Sequence, residues 1–290
     1  MRIGLDCYSC FLRQALQAAR FTGLEEESQR RVLQFTLGLL LEEETARVTP
    51  PELARRINRE IARLSGVADP YGEQKRLWTD RALALLPRLE AQIEEADDRL
   101  GMGLRVAVAG NIIDLAPGQE IDLERTLARV GTEPFAIDAR AGLEAALERA
   151  AWVLVLGDNA GETVFDRAFL PVLGRPVKYA VKGGPIINDA LREDALQAGL
   201  DRVEGVEIID TGTDMPGTVP EASSAEFREV LERAPLVIAK GQAHFETLSH
   251  RADPRLFFLF QVKCPQIARH LGGVAQGSLV LAQGPFPQTA

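Results

Sequence analysis

The chain has 290 residues, with 33 Lys+Arg against 42 Asp+Glu for a formal net charge of −9, and it is 46% hydrophobic and 26% charged. This balance excludes disordered and fibrous classes and suffices for a packed core without disulfides. The acidic charge, with no stripe of Lys and Arg interleaved with aromatics, argues against nucleic acid, so any phosphate ligand has to be small and locally caged. Apolar runs such as Leu256 to Phe260 are far shorter than the roughly 18 residues of a membrane helix. Arg2 and Asp6 do not suit a leader, and three cysteines make no secreted disulfide framework. A cytoplasmic protein with no membrane partner is expected; its oligomeric state is left open.

Up to about Leu100 the apolar residues recur at three and four: Phe11, Ala15, Ala18 and Ala19, then Val32, Phe35 and Leu39, then Leu53, Ile57, Ile61 and Leu64. This spacing predicts an all-helical subdomain over residues 1–100. Thr49-Pro50-Pro51-Glu52 caps one of its helices, and Asp69-Pro70-Tyr71-Gly72 opens a long helix to about Leu100 with a kink at Pro87.

After Gly101-Met102-Gly103 the texture becomes short β-rich runs separated by helical stretches: Arg105–Ala109, Phe135–Ile137, Trp152–Leu156, Val177–Val181, Val206–Ile209, Leu236–Ala239, Leu256–Phe260 and Leu279–Leu281. Strands apolar on both faces and joined by helices predict an α/β fold, a three-layer α/β/α core with a mainly parallel sheet over residues 101–283. Residues 284–290 are expected to form a flexible tail.

Six of these runs end in polar residues that a parallel sheet would gather along one edge. They are Gly110-Asn111, Gly157-Asp158-Asn159-Ala160-Gly161-Glu162, Lys182-Gly183-Gly184 followed by Asn188-Asp189, Asp210-Thr211-Gly212, Lys240-Gly241-Gln242, and Gln261 with Lys263. Turn and cap chemistry explains any one of them. Six in succession, three with a lysine, point to a site. Asp158, Asn159 and Asp189 form a hard oxygen set suited to Mg²⁺ or Mn²⁺. Lys182, Lys240 and Lys263 could balance phosphate charge, and the backbone N–H groups of Gly183, Gly184 and Gly241 could approach its oxygens.

Other signatures are incomplete. Asp210-Thr211-Gly212-Thr213 copies an aspartic-protease motif once, in the wrong texture, and no nucleotide phosphate loop or dinucleotide fingerprint is present. The histidines, His244, His250 and His270, are too scattered for a zinc site, and Cys7-x-x-Cys10 lacks a second pair.

The segments from Gly157 to Asp166, Val181 to Ala190, Ala239 to Leu248 and Ala109 to Asp114, with Cys7 to Cys10, resemble the damage-control phosphatase family, in particular its Cys-x-x-Cys-containing, mainly prokaryotic subfamily. The resemblance implies a helical subdomain on an α/β/α core and a divalent cation (Mn, Mg, Ni or Co) held at Asp158, Asn159 and Asp189. It also implies hydrolysis of phosphate monoesters of small metabolites. Asp158, Asp189 and Asp210 are then the catalytic candidates, with Asp210 as a helper base. Asn111, Glu162, Lys182, Gly183, Gly184, Lys240, Gln242, Glu246 and Lys263 are the substrate-binding candidates. The expected partner is a small phosphorylated metabolite. Ala243-His244 departs from the family's Gly-Asn, and Lys182 stands where some relatives have arginine. A non-catalytic phosphometabolite sensor and, behind it, a Rossmann-like methyltransferase are the competing readings.

Overall fold

The computed structural model describes residues 1–42, 45, 48–112 and 132–286. Helices α1 (Leu5–Phe21), α2 (Glu26–Leu41) and α3 (Pro50–Ser65) close around Phe11, Ala15, Ala18, Ala19, Val32, Leu39, Leu53, Ile57 and Ile61, residues that the three-four spacing picks out. The start of α3 is fixed by a reciprocal cap. The Thr49 N–H donates to Glu52 Oε2 at 2.7 Å and the Glu52 N–H to Thr49 Oγ1 at 3.4 Å.

The single helix expected up to Leu100 is instead two, α4 (Gly72–Leu83) and α5 (Leu86–Glu94). Pro87 sits in the first turn of α5, where a missing N–H and a fixed φ are harmless, so it starts a helix where a kink was expected.

The expected strand Arg105–Ala109 is also corrected. It lies inside α6 (Arg99–Ile112), which continues through the glycines read as a break. Leu104, Ala107 and Val108 face the sheet, while Val106 and Ala109 face α5 and the helix after β2. A helix buried on opposite sides is apolar all round and loses the periodicity that would distinguish it from a strand. Gly103 allows the approach, since a Cβ there would fall 2.6 Å from Val172 Cγ2.

The sheet contains β1 (Phe135–Asp138), β2 (Val153–Leu156), β3 (Val177–Val181), β4 (Val206–Asp210), β5 (Val237–Lys240), β6 (Leu256–Gln261) and β7 (Leu279–Gln283) in the order β1-β7-β6-β5-β2-β3-β4. Every neighbouring pair is parallel except β6 with β7. One face packs on α6, α7 (Arg140–Arg149), α8 (Glu162–Phe169) and α9 (Arg192–Gln197) through residues such as Leu104, Leu143, Phe169 and Ala195. The other packs on α10 (Ala225–Arg233), α11 (Gln242–Leu248) and α12 (Pro265–His270) through Phe227, Phe245 and Ile267. The expected three-layer α/β/α arrangement is therefore present.

Of the tail expected to be loose, Gly284 to Phe286 is described, and there the expectation fails. The Phe286 ring packs edge-on against Phe245, with centroids 5.0 Å apart. Among the described residues no helix is long and apolar enough to cross a membrane.

From β2 the chain moves outward to β3 and β4 and then returns to the other side of β2 as β5. Ligands of open α/β sheets bind at such a reversal, beyond the carboxyl ends of the two central strands. Here those ends are Leu156 and Lys240.

Candidate active site

The loop after β2 places Asp158 and Asn159 at this reversal, and the loop after β3 brings Asp189 to them. The Ala190 N–H donates to the Asp158 carbonyl at 2.8 Å, the Ala160 N–H to the Asn188 carbonyl at 2.9 Å, and the backbones of Asn159 and Asp189 form an isolated bridge. All three side chains are buried. Asn159 Nδ2 donates to Asp158 Oδ2 at 3.0 Å and to Glu162 Oε2 at 3.4 Å, so the amide carbonyl is the atom Asn159 can offer a cation. From the β5 side Gly241 closes over Asp158. A Cβ at 241 would lie 1.9 Å from Asp158 Oδ2, and its φ of +76° and ψ of 165° belong to a region open essentially to glycine alone.

Lys182 lies in the same place. It is buried, pairs with Asp189 Oδ2 at 3.6 Å and donates to the Gly217 carbonyl. Burial pulls its pKa down, while Asp189 and Asp158 oppose that pull.

Lys240 has a different role from the one expected. Fully buried, it donates to Glu162 Oε1 and Asp166 Oδ1, both at 2.5 Å, and to the Ala107 carbonyl at 3.2 Å. All three ammonium donors have protein acceptors, so Lys240 holds Glu162 in place where a phosphate contact was expected. Asp166 completes the group by accepting from the Tyr179 hydroxyl at 2.6 Å. Burial raises the Asp166 carboxyl to about 6 against the pull of Lys240. The sequence reading missed Asp166; the available signal was Glu162 and Asp166 one turn apart on a buried helix.

His244 occupies the position that departs from the family motif. Burial and the Lys182 cation hold its pKa well below the usual histidine value, so the ring is neutral. Its Nε2 lies 3.1 Å from the Gly157 carbonyl and therefore carries the proton, while Nδ1, 3.0 Å from Thr218 Oγ1, accepts from that hydroxyl. The ring thus ties α11 to the backbone just before Asp158.

Other candidates fall elsewhere. Asp210 caps its own turn, Oδ1 accepting from the Gly212 N–H at 3.0 Å, and pairs with Arg192 at 3.3 Å near the surface, so it is not brought to Asp158. Gln242, Glu246 and Lys263 form a separate group. Gln242 Nε2 donates to Glu246 Oε1 at 2.9 Å, and its Oε1 accepts from the Lys263 N–H at 3.1 Å. Burial raises the Glu246 carboxyl to about 7, against opposing pulls from Gln242 and the chain's amino terminus. The N–H groups of Gly183 and Gly241, expected to face phosphate, are taken by the carbonyls of Thr213 and Leu259. The Asn111 backbone is in α6, and its side chain lies outside the described residues.

A cavity of about 220 Å³ opens between the helical layer and the core, lined by Asn159 and Glu162 together with Arg13, Gln14, Gln17, Gln74 and Trp78. Cys10 lines it, whereas the Cys7 thiol donates to Gln266 Oε1 at 3.3 Å and is pushed up by burial. Gly183 and Gly184 line a second cavity of about 520 Å³, beyond Ile187 and against α3.

The model of the damage-control phosphatase ARMT1-like domain matches residues 4–280. The chain belongs to this family. Among damage-control phosphatase relatives, PH1575 from Pyrococcus horikoshii is 31% identical, with 99% of each chain covered. A damage-control phosphatase from Archaeoglobus fulgidus is 30% identical over 94% of this chain and 96% of its own length. The crystal structure of PH1575, a DUF89 family protein, superposes with a TM-score of 0.88 over 98% of this chain and 99% of that one.

Proposed function

We propose that the chain is a divalent-metal-dependent phosphatase that hydrolyses phosphate monoesters of small metabolites, sugar phosphates or cofactor-related phosphates, as part of metabolite damage control. Family membership and the relatives named as phosphatases support the reaction class. The observation that carries the metal dependence is the buried set of Asp158, Asn159 and Asp189 at the reversal of the sheet, with the Asn159 amide nitrogen already committed. Two carboxylates and an amide oxygen suit Mn²⁺ or Mg²⁺, and Ni²⁺ or Co²⁺ after them, better than a soft or imidazole-loving ion.

A cation bound there supplies Lewis acidity toward the phosphoryl oxygens and acidifies bound water. Lys182 adds a fixed positive charge beside Asp189. Glu162 lines the 220 Å³ cavity with its carboxylate buried and held by Lys240 and Asn159, and it is the acid proposed in place of Asp210 to accept a proton. The guanidinium and amides of Arg13, Gln14, Gln17 and Gln74 meet the hydroxyl-bearing part of the substrate. The odd cysteine count keeps the cytoplasm as the proposed setting.

The test is phosphate release from a panel of sugar phosphates, nucleotides and phosphopantetheine-type compounds. Chelation should silence turnover and added Mn²⁺ or Mg²⁺ restore it. Asp158→Ala and Asp189→Ala should abolish the response in folded protein. Full activity after rigorous chelation would remove the cation from the reaction, and saturable binding without turnover on every compound would favour a sensor.

A further inference from the structure

The face of α3 turned away from the helical core carries Arg55, Asn58, Arg59 and Ala62, spaced i, i+3, i+4, i+7, and all four line the 520 Å³ cavity. Across from them stand Gly183, Gly184, Ile187, Thr213 and Asp214. The two arginines share one carboxylate. Arg55 Nε donates to Asp214 Oδ1 at 2.7 Å, and Arg59 donates through Nε to Oδ2 at 2.8 Å and through Nη2 to Oδ1 at 2.9 Å. Asp214, held below the usual carboxylate range by these guanidiniums despite its burial, stays ionised. Two positive charges against one negative leave the wall with an excess of +1, and the Nη1 group of each arginine is outside these bonds.

Two further groups are in need of a partner. Asn58 and Thr213 are 7% and 8% exposed. Asn58 Nδ2 donates to the Ala54 carbonyl at 2.9 Å, but Asn58 Oδ1 and Thr213 Oγ1 have no hydrogen-bond partner among the described residues. Buried polar atoms are rarely left unmatched without reason. A guanidinium pair with spare donors, an amide oxygen that needs a donor and a hydroxyl that can act either way are together complementary to an oxyanion bearing a hydroxyl.

The wall between the two cavities is Ile187, which lines both. Its φ is +44°, a left-handed conformation that is strained for a β-branched side chain and is retained where surrounding structure enforces it. The segment it closes begins beside Lys182 and ends at Asn188-Asp189, so a ligand against Gly183, Gly184 and Ile187 touches the backbone that presents two active-site groups.

We propose that this second cavity binds a phosphate group carrying a hydroxyl, either inorganic phosphate or a small hydroxylated phosphate ester, separately from the cavity at Asn159 and Glu162, and that its occupancy is transmitted to Asp189 through residues 183–187. By linkage, what binds here changes the affinity of the active site for its own ligand by the same factor that the active-site ligand changes binding here.

The experiment is calorimetric titration of the whole chain, stripped of metal and desalted, with inorganic phosphate and in a second arm with glycerol 3-phosphate. Hydrogen exchange of residues 183–189 is followed in parallel. Binding by wild type is expected with at least one probe, the arms telling free phosphate from ester, together with slower exchange in that segment. Ala62→Phe, which fills the cavity from the partly exposed face of α3, should weaken binding at least tenfold. Thr213→Val, which removes the unpartnered hydroxyl but leaves the Asp214 clamp, should weaken it to a smaller extent and serves if Ala62→Phe does not fold. Arg13→Met, which removes a guanidinium from the cavity at Asn159 and Glu162 and not from this one, should leave it intact. No saturable heat with either probe would overturn the proposal, as would equal binding by wild type and both cavity variants. Binding lost in Arg13→Met alone would place the phosphate in the cavity at Asn159 and Glu162 and also overturn it. Turnover is not read, so these outcomes are distinct from failure of the phosphatase reading.

Discussion

Gly241 and Asp158 are in such close contact that the position a Cβ would occupy on Gly241 is 1.9 Å from Asp158 Oδ2. The backbone of one central strand end is the lid on the carboxylate of the other. Gly241→Ala has to push Asp158 aside and also adopt a backbone conformation costing about 1–3 kcal/mol for a residue with a side chain. Metal-stimulated turnover should fall by about 100-fold, as for a small misplacement of a reacting group, with the circular dichroism spectrum retained. A wild-type rate would show that the Asp158 carboxylate can move freely without consequence.

Lys240→Met separates an internal clamp from a phosphate contact. Deleting the ammonium leaves Glu162 and Asp166 facing each other in a site with no exposure, and loss of one partner of a buried ion pair costs about 3–5 kcal/mol. Denaturant unfolding should show that loss, partly relieved by adding Asp166→Asn. If stability were unchanged and KM alone rose, the lysine would be contacting substrate.

Glu246 makes the protein's stability depend on pH in a defined window. Its carboxyl is raised from 4.5 to about 7 in the fold, so between those values the folded chain keeps a proton that the unfolded chain releases. Stability attributable to this group therefore falls as pH rises from about 4.5 to about 7 and is constant above, by a total of about 3 kcal/mol. Glu246→Gln, whose amide oxygen can still accept from Gln242, should be the more stable protein at pH 8 and lose this slope. Parallel unfolding curves of wild type and variant at pH 5 and pH 8 check it; an unchanged slope would assign the titration elsewhere.

The clustering of Asp158, Asn159, Glu162, Lys182 and Asp189 in the candidate site could be read from the sequence, because they lie in the loops that follow apolar strand runs, and a parallel sheet collects such loops at one edge. The role of Lys240 was not legible. A lysine at a Gly-flanked strand end looks the same whether it faces a ligand or two acids on a neighbouring helix. The wall formed by Arg13, Gln14, Gln17 and Trp78 was missed because the polar side of an amphipathic helix reads as a solvated face until another layer is known to stand opposite. Helix α6 reads as a strand in the sequence because burial on opposite sides removes its period. His244 was flagged only as a departure from a motif, and its service to the Gly157 carbonyl depends on Thr218, which is distant in sequence.

The position of β7 has a consequence for how the molecule is made. This strand lies between β6, which it meets antiparallel, and β1, whose only sheet neighbour among the described residues it is. During synthesis from the amino terminus, Phe135–Asp138 emerges about 140 residues before its described partner strand Leu279–Gln283, so the sheet is completed across nearly the whole length of the core. Contacts so far apart in sequence form slowly, and until then the outer edge of β6 presents unpaired backbone. A nascent chain stalled before Leu279 could assemble the strands that carry Asp158, Lys182 and Lys240 and still leave the β6 edge unpaired, so the last strand is the step that covers this edge and moves the boundary of the sheet out to β1.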